Sequence, residues 1–92
     1  MEKTDSPAKE FFTYRGVKYD VTFGNELTRH GGPFDRGSAD SYYCRGCSPH
    51  YFIGRTHSSP RIGHNTMNEK ESLEYYAGFE YNENVIQAWK EW

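Results

Sequence analysis

Cys44-x-x-Cys47-x-x-His50 places two thiols and an imidazole within seven residues, and His57 and His64 follow at intervals of seven. Thiolates and imidazoles in fours are the ligands of structural zinc. The C-x-x-C pair would supply two ligands from one turn, and His50 with His57 or His64 would complete a Cys₂His₂ set. In a standard finger the second pair stands some 12 residues beyond the first, a spacing this chain does not have. Cys44 also falls at the end of a predicted helix. The expectation is therefore no metal and no cofactor, with Cys44, Cys47, His50 and His57 as the residues a metal would take. Two reduced thiols and four polar-loop histidines are the simpler reading. A redox C-x-x-C belongs to a thioredoxin-like βαβ context, which the chain lacks. Cysteine, histidine and aspartate are all present for nucleophilic or acid–base work, but no local signature joins them. There is no G-x-x-x-x-G-K-[ST] and no H-E-x-x-H. The chain is expected not to be an enzyme.

Charge gives the second candidate chemistry. Residues 29–64 carry five arginines against two aspartates, hold all four histidines and contain no lysine. Guanidinium suits bidentate phosphate or carboxylate contact and stacking on rings. Arg36, Arg45, Arg55 and Arg61, with Tyr42, Tyr43, His50 and Tyr51, therefore offer phosphate contacts and ring platforms of the kind that hold unpaired RNA bases. The segment's net charge of +3 is too small for strong non-specific binding by itself. Residues 65–92 carry six acids against two bases. Trp89 and Trp92 lie in that acidic stretch, and tryptophan is enriched at protein-interface hot spots. They form the alternative contact surface, for a host protein, unless they fold back on the rest of the chain.

The elements that must position these residues are short. Val17, Tyr19, Val21 and Phe23 alternate with Lys18, Asp20 and Thr22, the signature of a half-buried strand. Phe11 to Tyr14 precede it across Arg15-Gly16, so residues 10–23 read as a β-hairpin. Gly31-Gly32-Pro33 breaks any regular element. Asp35 is expected to cap a helix over 35–45 that stops near Gly46. Residues 46–67 read as a long polar loop, with Tyr51 to Ile53 as its one extended piece. Thr66-x-x-Glu69 and Asn68-x-x-Glu71 both match a capping box, and a helix is predicted over 68–91. It has a break near 82–84, where Asn84-x-x-Gln87 would restart it. Gly37, Ala39 and Ser41 on the first helix and Ala77 and Gly78 on the second predict a close crossing flanked by tyrosines.

Length and composition bound the rest. Ninety-two residues fit one domain, here 10–92, with 1–9 as a flexible tail. Leu, Ile, Val and Phe together number only 14, yet 16 residues are aromatic and the net charge is −2. Rings bury a large area each, so a small Tyr/Phe-built core is expected rather than disorder. No apolar run approaches 18 residues, so no membrane partner is expected. Met1 to Glu10 contain no apolar stretch, so no secretory leader and a cytoplasmic location are expected.

Phe34-Asp35-Arg36-Gly37-Ser38-Ala39-Asp40-Ser41-Tyr42-Tyr43, then Pro49-His50-Tyr51, then Glu74-Tyr75-Tyr76-Ala77-Gly78-Phe79, resemble a group of small phage and proteobacterial proteins. That group shares a D-R-G-x-A-D-x-Y-Y…P-H segment and a later Y-x-A-G-Y/F helix. The resemblance covers about half the chain and implies no activity. Arg36, Gly37 and Ala39, then Cys47 and Pro49, then Gly78 are more distantly similar to ribosome modulation factor, which binds the small ribosomal subunit. The expected fold is α+β, an N-terminal antiparallel β-hairpin packed on two helices joined by a long polar loop. The expected function is a small cytosolic, non-catalytic binding protein of phage or mobile-element type. It would contact RNA or a ribonucleoprotein through 29–64. The alternatives are an inhibitor or adaptor of a host protein, and a small structural zinc protein.

Overall fold

The computed structural model describes residues 10–22, 26–54 and 60–91. Its α+β architecture is an N-terminal antiparallel hairpin and a pair of packed helices, with a second hairpin between the helices. Strands β1 (Phe11–Tyr14) and β2 (Val17–Asp20) pair from Phe11↔Asp20 to Tyr14↔Val17. The ladder runs on through Val21 N–H to the Glu10 carbonyl at 2.8 Å. Arg15 (φ 52°) and Gly16 (φ 79°) both turn left-handed, the geometry that matches strand twist in a two-residue connection. Phe12, Tyr14, Tyr19 and Val21 cover the core, where they meet Leu27, Phe34, Ala77 and Tyr81. The Tyr81 ring lies 5.2 Å from Phe12 and 5.7 Å from Phe34.

Helix α1 spans Pro33–Tyr42, starting two residues earlier than its sequence suggests and ending three earlier. Gly32 is its N-cap, and Pro33 takes the first helical position, where no N–H is needed. Asp35 is thus not the cap. It stands three residues further in and accepts the Gly31 N–H at 2.9 Å. At the other end Cys44 adopts φ 58°, which stops the helix before Gly46.

The expected close crossing is present. A Cβ on Gly37 would stand 1.9 Å from the Tyr75 carbonyl oxygen, and one on Gly78 would stand 2.0 Å from that of Phe34. Only hydrogen at both positions lets the backbones come this close. The second helix, α2 (Glu69–Tyr81), begins with the Asn68/Glu71 capping box. Asn68 Oδ1 accepts the Glu71 N–H at 2.7 Å, and Glu71 Oε1 accepts the Asn68 N–H at 3.0 Å.

Two further features depart from the sequence reading. The expected 46–67 loop contains strands β3 (His50–Phe52) and β4 (Arg61–Gly63), paired from His50↔Gly63 to Phe52↔Arg61. A 3₁₀ turn (His64–Thr66) then leads to α2. The Phe52 N–H reaches the Gly31 carbonyl at 2.7 Å, and the Arg29 guanidinium donates to the carbonyls of Phe52 (3.1 Å) and Gly54 (3.4 Å). These tertiary bonds support strands too short to form alone. Beyond Tyr81 the chain makes a π turn over Asn82–Ile86 and stops at Gln87 (φ 55°), so no helix restarts at Asn84. Residues 88–91 fold back, and the Lys90 N–H donates to the Tyr42 carbonyl at 2.7 Å. Among the described residues, no helix is long and apolar enough to cross a membrane.

Candidate interaction surface

The face that α1 turns inward is largely polar. Phe34, Gly37 and Ser41 share it with Arg36 and Asp40, an i,i+4 pair of charges that are both buried. A buried charge is costly unless it is paired and hydrogen-bonded. Asp40 meets that demand from three elements. The Tyr75 hydroxyl, on α2, donates to Oδ2. Arg45 donates to Oδ1 from Nε at 2.9 Å and from a terminal nitrogen at 2.7 Å. His50 Nδ1, on β3, lies 3.8 Å from Oδ2. The Tyr75 oxygen also accepts the Ser48 N–H at 2.8 Å. Burial first, then the bond to Asp40, push the Tyr75 phenol far above its ordinary range. His50 Nδ1 lies 2.7 Å from the Ser48 carbonyl, and Arg36 Nε makes a long contact of 3.5 Å to His50 Nε2. The tautomer with its proton on Nδ1 satisfies both contacts. Arg36 also lies over the Phe52 ring, 5.8 Å from its centre.

A second polar cluster fixes the last turn of α1 to the C-terminal segment. The Ser41 hydroxyl donates to Glu83 and accepts from Asn82 Nδ2, which also reaches the Ala88 carbonyl at 2.9 Å. The Trp89 indole donates to the same Glu83 carboxylate at 3.3 Å. Around this clamp Tyr42, Tyr43, Val85, Ile86 and Trp89 are between 37% and 52% exposed. The rings of Tyr42 and Tyr43 meet edge-on at 4.9 Å, and the Arg45 guanidinium lies 4.8 Å from the centre of the Tyr43 ring.

Among the described residues, those proposed from sequence for RNA contact are divided between the interior and the surface. Arg36 and His50 lie in the interior, where Arg36, His50 and Asp40 tie α1 to β3. Both are buried, at 7% exposure each. Tyr51 is half-buried, with its hydroxyl donating to Glu71 at 2.8 Å, and Arg61 is exposed on β4. Tyr42, Tyr43 and Arg45 stand together at the end of α1, beside Trp89 of the alternative set. Arg55, His57 and Trp92 lie outside the described residues.

The metal candidates separate as well. Cys44 and Cys47 are exposed thiols, and the ring nitrogens of His50 face Ser48 and Arg36. No group of three or more His, Cys, Asp or Glu side chains suited to a metal occurs among the described residues. Burial, then the charges of Glu80, Asp40 and Glu83, push the Cys47 thiol up, away from the reactive thiolate. Asp40, Tyr75, Ser41, Asn82 and Glu83 were not singled out from sequence as site residues. The one available signal was the Arg36/Asp40 spacing on the Gly37 face of α1. No protein-family model, no curated protein and no solved structure matches this chain.

Proposed function

We propose that this chain is a small, non-catalytic, cytosolic binding protein that docks a partner protein through Tyr42, Tyr43, Val85, Ile86 and Trp89. The observation that carries the reading is the exposure of these five large apolar side chains around the hydrogen-bonded end of α1. Aromatic anchors held in place before binding lose little entropy on association. Glu80 and Glu83 flank the surface, and residues 65–92 carry a net −4. The partner's complementary surface is an apolar socket with a basic rim.

RNA or ribosome contact is the competing outcome. The likeness to ribosome modulation factor and the Arg45–Tyr43 stack favour it. Against it, Arg36 and His50 are interior and Arg45 is paired with Asp40, so these three are poorly placed to neutralise phosphates. The test is capture from a bacterial lysate, with and without nuclease, by wild type, Trp89→Ala, Tyr43→Ala and Arg61→Ala proteins. The expected result is nuclease-resistant capture of one protein that survives in Arg61→Ala and is lost in Trp89→Ala, with folding intact by circular dichroism. Nuclease-sensitive, salt-sensitive capture that needs Arg61 and not Trp89 would overturn it.

A further inference from the structure

A cavity of about 340 Å³ opens where the first hairpin, the 26–32 connector, both helices and the π turn converge. Its base is apolar. Val21 and Phe34 are buried, Tyr81 and Ile86 add to the apolar lining, and Thr28 and Ser38 also line the space. Two acidic residues, Glu10 and Asp35, line the same space, and among the described residues no basic residue lines it. Asp35 is held by the Gly31 N–H at 2.9 Å and has an Arg36 nitrogen at 3.7 Å and His30 Nδ1 at 3.8 Å, so its charge is partly met. Glu10 is exposed, and its backbone is held beside Val21 by the Thr22 hydroxyl at 3.0 Å and the Val21 N–H at 2.8 Å.

We propose that this cavity takes an arginine or lysine side chain of the partner protein. The aliphatic stem would lie on Val21, Phe34, Tyr81 and Ile86, with the cationic head at Glu10 and Asp35. Long basic side chains divide themselves in this way, with the stem on apolar surface and the head at a charged, wetter edge. Ile86 belongs both to this cavity and to the exposed apolar surface, so a chain docked on Trp89 and Ile86 has the cavity mouth beside it. The assignment of the occupant to a partner rests on the protein-docking reading. The cation preference of the cavity does not.

The test is an amide NMR titration of the full chain with n-butylguanidinium, and with butyrate as the anionic control. Saturable shifts at Val21, Thr28, Ser38 and Ile86 are expected, with a dissociation constant on the order of millimolar for so small a ligand. Butyrate is expected to leave these amides in place. Glu10→Gln, which removes no backbone support, weakens binding about two- to fivefold, as for a partly exposed ion pair. Asp35→Asn is the second variant, and Asn can still accept the Gly31 N–H. Equal shifts from butyrate, or undiminished binding in both variants, would overturn the cation site.

The partner assignment has its own arm. Saturating n-butylguanidinium should release the captured protein, and failure to release it would overturn the side-chain occupant. Trp89→Ala is expected to keep the probe site while losing capture. Failure of the docking reading therefore shows in capture alone, and failure of the cavity proposal shows in the titration.

Discussion

A single methyl group tests how the two helices meet. In an open helix interior, Gly→Ala gains about 1 kcal/mol. At Gly37 and Gly78 the added carbon would meet backbone oxygens at 1.9 and 2.0 Å, and backbone cannot rotate away as a side chain can. Gly37→Ala and Gly78→Ala are each expected to cost about 3 kcal/mol or more, near the upper end for overpacking. In a domain this small that lowers Tm by roughly 12 °C or more. A rise in Tm would show that the crossing is looser than described. Tyr75 gives the companion case. Its hydroxyl serves Asp40 and Ser48 together, so Tyr75→Phe removes a donor from the buried Asp40 carboxylate and an acceptor from the Ser48 N–H, at about 1–3 kcal/mol. The phenol also ties stability to alkaline pH. Its ordinary value is 10.0, and the folded state raises it. Above pH 10 the unfolded chain therefore holds fewer protons than the folded one. The stabilisation is complete below pH 10 and declines above it, by up to about 1.4 kcal/mol per pH unit for one proton. Tyr19, Tyr51 and Tyr81 shift the same way and add to the decline. Urea midpoints from pH 9 to 11 should fall less steeply in Tyr75→Phe than in wild type. Equal slopes would remove Tyr75 from this role.

Each regular element has one residue on which its local geometry turns. At the β1–β2 turn, Arg15 sits at φ 52°, where asparagine is better tolerated than arginine. Arg15→Asn gives up the contacts of Arg15 to Tyr14 but should gain about 0.5–1 kcal/mol net, read as a higher Tm. At α2, Asn68→Ala removes the acceptor for the Glu71 N–H and should cost about 1 kcal/mol. An unchanged Tm in Asn68→Ala would mean that the first turn of α2 is held by Tyr51–Glu71 alone. These are the elements that the sequence made legible, because the strand alternation, the Arg-Gly turn and the Asn-x-x-Glu box are local signals. The helix crossing was legible for the same reason, since glycine inside a helix needs an explanation. The β3–β4 hairpin was not. Three-residue strands show no alternation, and theirs are supported by Gly31 and Arg29, some twenty residues away. The interior positions of Arg36 and His50 were also hidden. His50 faces Asp40, which is in turn satisfied by Tyr75, 35 residues further along the chain, and Arg36 is met by Asp35 and His50. The π turn ended α2 where residue types alone favoured continuation, because Asn82 is drawn to Ser41 and the Ala88 carbonyl.

At the scale of the whole molecule, the described residues form two separate two-stranded sheets, and neither hairpin would be stable alone. Both depend on the α1–α2 crossing, which contains the fully buried Tyr75 and Ala77 and most of the buried charge. Stability should therefore grade outward from that crossing. In native-state hydrogen exchange, the amides of Ser41, Gly78 and Phe79 are expected to open only with global unfolding. The β3–β4 amides are expected to open about 1–2 kcal/mol more easily, because their strands are short and rest on the crossing through His50 and Phe52. Lys90 is the informative amide. Its bond to the Tyr42 carbonyl and the Ser41–Glu83–Trp89 clamp tie the C-terminal segment to α1, so it should be protected nearly as well as the helix end. Protection there would mean that Trp89 is presented already in place, as a preorganised docking surface requires. Exchange of Lys90 at the rate of an open chain would mean that Trp89 is ordered only by its partner, at an entropy cost that weakens binding. Glu83→Gln separates the two cases further. It should loosen Lys90 and reduce capture together if the clamp organises the surface, while leaving exchange at Gly78 unchanged.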